Sequence, residues 1–156
     1  MTQGNTVIQF RSAAFEDLPK ILSLLADHVL GTQRESLDAA TIARYEAAFR
    51  DIYSQKGNQI LVGVQDSEIV AMLQLTFIPG LSHQGATRAQ IESVRVKSSV
   101  RGHGIGKILF REAIDLSKRA GCSIVQLTTD QRRPDAVRFY ESLGFKPTHS
   151  GMKLAI

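Results

Sequence analysis

Six residues, Arg101-Gly102-His103-Gly104-Ile105-Gly106, carry the strongest chemical signal in this chain. They follow the apolar run Val94-Arg95-Val96 and open an amphipathic segment that starts near Ile105. The pattern predicts a strand, a glycine-rich turn and a helix. Glycine lets the backbone approach a bulky anion closely, and the first turn of a helix offers N–H groups that have no partner of their own. The expected chemistry is the cradling of a phosphorylated ligand. Two nucleotide motifs fail on named residues. A dinucleotide fingerprint needs glycine at position 107, which is Lys107. A P-loop needs glycine where Arg101 stands, and Ser or Thr where Ile108 stands.

What remains is Arg-x-x-Gly-x-Gly after a short apolar strand. A second pattern lies downstream, Ala136-Val137-Arg138-Phe139-Tyr140-Glu141-Ser142-Leu143-Gly144-Phe145, with an apolar strand candidate, Ser123 to Thr128, between the two. The first resembles the acetyl-CoA-binding signature of the GNAT superfamily of N-acetyltransferases, [RQ]-x-x-G-x-[GA]. The second resembles that family's late helix and turn, A-x-x-F-Y-E-x-L-G-F. The resemblance is sharpest from Gln90 to Phe145 and general before that.

The resemblance implies acetyl-CoA as donor and an amine as acceptor, with no metal. It places the backbone of Val94 and Val96, with Arg95 between them, against the pantetheine arm as if that arm were another strand. A strand N–H there would polarise the thioester carbonyl. It places the N–H groups of Arg101, Gly102, His103, Gly104, Ile105, Gly106 and Lys107 around the pyrophosphate. Arg101 would act through its backbone more than its guanidinium. Tyr140 would protonate the departing thiolate, a reasonable task for a phenol of pKa near ~10. Glu92, on the strand before the glycine turn, would be the general base, directly or through a water; the alternative is a structural or substrate-binding carboxylate. Asp130 and His83 are weaker candidates. Relatives often carry Asn seven residues before the tyrosine. Here that residue is Arg133, which can reach a CoA phosphate but cannot reproduce an amide's paired donor and acceptor.

Composition agrees with one enzyme-sized domain. The chain has 156 residues, 43% hydrophobic and 22% charged, which suits a single soluble globular domain. Residues 1–6 are expected to be a flexible N-terminus and 7–156 a single domain. Met1 to Thr6 lack the basic and apolar regions of a signal peptide, and no apolar run is long enough to span a bilayer, so a cytoplasmic address away from membranes is expected. The net charge of +4 is mild and argues against a nucleic-acid partner. The basic residues gather instead near the expected ligand: Arg95, Lys97, Arg101, Lys107, Arg111, Arg132, Arg133 and Arg138. Single Cys122 reads as a small buried side chain, and four scattered histidines have no metal-site spacing.

Periodicity orders the elements that must position these residues. Val7 to Arg11 reads as a strand, and Phe15 to Leu30 as a helix through Leu18, Ile21, Leu22, Leu25 and Val29, stopped at Gly31. Asp38 caps a second helix bearing Ile42, Tyr45, Phe49, Ile52 and Tyr53. Gln59–Val64 and Glu68–Ile78 read as a hairpin joined at Asp66-Ser67, and Thr87–Val96 as a strand whose alternation slips. A β-bulge near Glu92-Ser93 explains the slip, and burial on both faces explains it equally well. Ile105 to Ala120 is a helix with Ile105, Ile108, Leu109, Ala113, Leu116 and Ala120 buried. Ser123–Thr128 is a buried strand, and a helix with Pro134 in its first turn ends at Leu143-Gly144. Phe145–His149 and Gly151–Ile156 are short strand candidates. The order predicts an α/β (α+β) protein of the GNAT fold: a mixed, mostly antiparallel central sheet flanked by helices on both faces.

Three functions fit these residues. The first is transfer of an acetyl group to a small-molecule primary amine. The second keeps that chemistry with a protein N-terminus or lysine as acceptor. The third is a non-catalytic acyl-CoA-binding module that regulates a partner. The late motif faintly resembles aminoalkylphosphonate and aminoglycoside acetyltransferases, and the family resemblance implies a homodimer.

Overall fold

The structure, a computed structural model, describes residues 7–27 and 35–156. The expected flexible segment 1–6 lies outside the described residues, as do Val29, Leu30 and Gly31 at the end of the first expected helix. Five strands form one sheet in the order β1-β2-β3-β4-β5. They are β1 (Gln9–Ser12), β2 (Asn58–Gln65), β3 (Glu68–Pro79), β4 (Thr87–Val96) and β5 (Ile124–Leu127). Each of the first four runs antiparallel to its neighbour, while β4 and β5 run parallel. Four helices of nine residues or more accompany them among the described residues: α1 (Leu18–Ala26), α2 (Ala39–Ser54), α3 (Ile105–Arg119) and α4 (Pro134–Ser142). The mixed, mostly antiparallel sheet between helices is the architecture expected.

Local chemistry explains most boundaries. A 3-10 turn, Phe15–Asp17, leads into α1, so only Leu18–Ala26 is α-helical within the expected helix. Asp38 caps α2 by accepting from the Thr41 N–H at 2.9 Å. Asp66 and Ser67 both have positive φ, 49° and 64°, matching the tight hairpin turn whose twist suits the flanking strands.

Alternation along the strands divides the core in two. Ile60, Val62, Ile69 and Met72 face α1 and α2 and pack with Ile21, Leu22 and Phe49. Leu61, Leu73, Leu75, Ala89 and Ile91 face the other way and pack with Leu109, Phe110 and Ala113 of α3. The α3 stripe is rotated from expectation. Ile108 is 42% exposed while Phe110 is fully buried. Phe110 completes an aromatic cluster with Phe139, Tyr140 and Phe145, at ring distances of 5.7, 5.5 and 5.9 Å. These rings on α4 and beyond supply the partner that turns α3 toward Phe110.

Two strand expectations are corrected. Segment 145–156 holds no ladder strand, and Met152, Leu154 and Ile156 are exposed. The Phe145 N–H is taken by the Tyr140 carbonyl at 3.1 Å in the C-terminal cap of α4. Pro147 lacks a donor, and Thr148 N–H turns back to the Lys146 carbonyl at 2.9 Å. Strand β5 is also not a buried strand: Ile124 is 55% exposed, and among the described residues no strand pairs with its outer edge.

Candidate active site

The slip in the alternation of β4 is a β-bulge. Met72 faces Arg95 and Gln74 faces Glu92, so Ser93 and Val94 together oppose Leu73. Ser93 carries the left-handed backbone of the extra residue, with φ 53°. The bulge sits where β4 leaves β5. Their pairing ends at Ile91 with Leu127, and β4 continues to Val96. A parallel pair that parts in this way opens a gap between two strand edges, a common place for ligands in α/β sheets.

The strand, glycine turn and helix stand in the expected order. Gly102 and Gly104 have φ 82° and 81°, and open space lies where a Cβ would point in each. Their glycine character serves the left-handed turn and leaves its outer side clear. Gly106 differs. A Cβ there would lie 3.1 Å from Phe139 Cζ, so this glycine lets α3 approach α4. The first intrahelical donor of α3 is Ile108, whose N–H reaches the Gly104 carbonyl at 3.2 Å. The N–H groups of Ile105, Gly106 and Lys107 come before it and have no carbonyl of their own helix to meet. The turn can therefore offer successive N–H groups to an anion.

Arg101 anchors the turn with its side chain. Its Nε donates to the Val96 carbonyl at 2.9 Å and its Nη2 to the Asp27 carbonyl at 2.6 Å. The Asp27 carboxylate accepts from the Ser98 N–H at 2.6 Å. That bond, with the Arg101 and Lys97 charges nearby, holds the Asp27 carboxyl below the ordinary carboxylate range. The end of α1 is thus tied to the exit of β4. Nothing in the spacing of residues 27, 98 and 101 signals this tie. The Val94 carbonyl accepts from its neighbour Arg95 Nη1 at 2.9 Å. The carbonyls of Val94 and Val96 thus each hold one guanidinium N–H and keep a second lone pair. His103 lies on the turn, its Nδ1 3.2 Å from the Val100 carbonyl, and Lys107 is exposed.

Tyr140 is half-buried among Phe110, Phe139 and Phe145. Burial raises its phenol pKa, while the guanidinium charges of Arg133 and Arg95 pull it the other way. The hydroxyl has no hydrogen-bond partner among the described residues, so it can donate to a ligand atom. Arg133 stands at the N-cap position of α4 without a side-chain capping bond, and its charge acts on Tyr140. Glu92 is exposed and sits across from Gln74. Strand alternation puts it on the face opposite Ile91, hence on the α1/α2 side, whereas Tyr140 packs on the α3/α4 side.

The weaker candidates stand apart. His83 lies in the short turn Ser82–Gly85 before β4, with φ 52°, at the opposite end of that strand from the glycine turn. A ten-residue strand separates the two by about 30 Å. Asp130 follows β5, clasped by Arg132 Nε and Nη2 at 3.0 and 2.6 Å. Burial raises the Cys122 thiol pKa, the opposite of an activated thiolate. Among the described residues no group of His, Cys, Asp and Glu could hold a metal ion.

Known proteins share this arrangement. The model of the acetyltransferase (GNAT) family matches residues 26–145. A solved structure from Bacillus halodurans C-125, described as a transcriptional regulator, has 46% identity and a TM-score of 0.91, covering 96% of this chain and all of that one (100%). The aminoalkylphosphonate N-acetyltransferase of Salmonella typhimurium is 27% identical over 147 residues, 92% of this chain and 88% of its own. The glucosamine 6-phosphate N-acetyltransferase of Trypanosoma brucei brucei is 34% identical over 86 residues, which span 55% of this chain and only 56% of that relative. With the family's model matching most of the chain, and the glycine turn, parted strands and late tyrosine in place, this protein belongs to the acetyltransferase (GNAT) family.

Proposed function

We propose that this protein moves an acetyl group from acetyl-CoA to the primary amine of a small molecule, by direct attack within a ternary complex. The observation that carries this reading is the clear glycine turn beside the parted edge of β4. Amides from Arg101 to Lys107 bind the pyrophosphate, and the β4 edge at Val94–Val96 lies along the pantetheine arm. Acetyl-CoA supplies an activated thioester. Glu92 takes the proton from the incoming ammonium group, directly or through a water. The new C–N bond forms as the C–S bond breaks, Tyr140 gives its proton to the leaving sulfur, and the second proton shed by the nitrogen passes through water to restore the Tyr140 phenol. Base and acid reach the gap from opposite faces of the sheet, so amine and thioester can meet there without displacing one another. Two relatives are named for acetylating aminoalkylphosphonates and glucosamine 6-phosphate, which favours a small acceptor. A homodimer and a cytoplasmic address belong to the same reading; among the described residues no helix is long and apolar enough to cross a membrane.

The test is release of free CoA thiol from acetyl-CoA across a panel of small amines and peptides. Turnover with small amines and none with peptides is expected. Turnover with peptides alone moves the acceptor to the protein class. Glu92→Gln is expected to lower kcat by about tenfold to a hundredfold with acetyl-CoA affinity unchanged. An unaltered kcat removes Glu92 as the base. A second reading, a regulatory acyl-CoA-binding module, draws on the 46% identical structure described as a transcriptional regulator. Acetyl-CoA binding without turnover of any amine would favour it.

A further inference from the structure

We infer that Gln74 and Ser93 recognise a hydroxyl on the acceptor, which makes short amino alcohols the preferred substrate class. The inference rests on the acetyl-transfer reading above. Its basis is a cavity of about 90 Å³ between α1, α2 and the sheet. Most of its wall is apolar, including Leu22, Leu25, Ile52 and Met72, and Gln74 and Ser93 stand together on its sheet side. The α1/α2 face of β3 is apolar at Met72 and turns polar one step later, at Gln74. The Gln74 carboxamide has no hydrogen-bond partner among the described residues, and neither has the Ser93 hydroxyl. Each offers both a donor and an acceptor, the set that a hydroxyl group satisfies. Glu92 is the cross-strand partner of Gln74, so its carboxylate stands beside the carboxamide. That negative charge favours an ammonium and disfavours an anionic substituent at this point. An amine held at Glu92 with a short carbon arm would thus place a neutral hydroxyl at Gln74, with its methylenes against the apolar wall.

Two amines of the same size separate hydroxyl recognition from simple fit: 2-aminoethanol and n-propylamine. The readout is the ratio of their kcat/KM values within one preparation, in which the unfolded fraction cancels. The wild type is expected to prefer 2-aminoethanol by about tenfold, and Gln74→Met to bring the ratio close to one, with acetyl-CoA binding by calorimetry unchanged. Gln74→Glu keeps the side-chain shape and removes the donor, and serves if the Met variant fails to fold; it is expected to lower the same ratio. A wild type without the preference, or a ratio that neither variant changes, overturns the inference while the acetyl-transfer reading stands. A wild type that gives no heat with acetyl-CoA overturns that reading, and the inference with it.

Discussion

The two faces of the sheet are built differently. On the α3/α4 face, Leu73, Leu75, Ala89, Leu109, Phe110 and Ala113 are sealed from solvent, and three aromatic rings interlock around Phe110. On the α1/α2 face, the core stops at Met72, and Gln74, Gln90 and Glu92 continue the strands as polar positions. The sealed face holds the packing glycine and the tyrosine, which with the exposed glycine turn and the β4 edge are the features proposed to hold the donor. The part-covered face holds those assigned to the acceptor. A donor common to a whole family permits a rigid, close-packed seat. An acceptor that differs between members calls for a surface whose side chains can change without disturbing the core.

Disrupting the sealed face gives the largest expected effect. Phe110→Ala removes the ring on which Phe139, Tyr140 and Phe145 all rest, and is expected to cost about 3–5 kcal/mol in chemical denaturation. A loss under 1 kcal/mol would mean that the aromatic cluster does not organise this face. The next effect concerns chemistry without stability. Tyr140→Phe keeps the ring packing and is expected to lower kcat about a hundredfold, with acetyl-CoA affinity unchanged in calorimetry. Because burial raises the Tyr140 pKa, wild-type kcat is expected to hold through the ordinary phenol pKa near ~10 and fall only above it. Unchanged turnover in the Phe variant would point to another acid or to a water.

The smallest effect belongs to the α1/α2 side. Asp17 is buried, accepts from Arg11 at 2.5 and 2.9 Å and from the Ala14 N–H at 2.8 Å, and its pKa is lowered chiefly by the Arg11 hydrogen bonds. A lowered folded pKa means that this stability is fully present above the unfolded value near ~3.9 and is lost as pH falls through the folded value. Asp17→Asn is expected to cost about 1–2 kcal/mol at neutral pH, discounted because Arg11 is half exposed, with the gap to wild type closing below about pH 4. Acetylation kinetics should stay unchanged. A gap that persists in acid would show that the carboxylate charge is not the source.

The same contrast governs what could be read from the sequence. Arg101 to Gly106 and Ala136 to Phe145 were readable because their constraints are local: a left-handed turn, a helix start, a helix end. The bulge was half readable, since the broken alternation at Glu92-Ser93 admits two causes and only the register with β3 separates them. Three features depend on residues far apart in the chain. Asp27 meets Ser98 and Arg101 across more than seventy positions. Phe110 is buried because α4 brings rings to it. Gln74 gains its meaning from a cavity shared with two helices. The mistaken strands after Phe145 show the reverse case. Met152, Leu154 and Ile156 alternate as a strand should, yet alternation alone supplies no partner.

Main-chain donors at Arg101 to Lys107 are proposed to grip the diphosphate of acetyl-CoA. Amide chemical shifts during a titration with acetyl-CoA test it most directly. Large, saturable shifts are expected at Gly102, Gly104 and Gly106, with little change at the distant Gly57, and at least a hundredfold weaker binding in Gly104→Val, where the left-handed backbone is strained and the clear side of the turn is filled. Saturation of the protein with those three glycine amides unmoved, or full affinity in the valine variant, would contradict it.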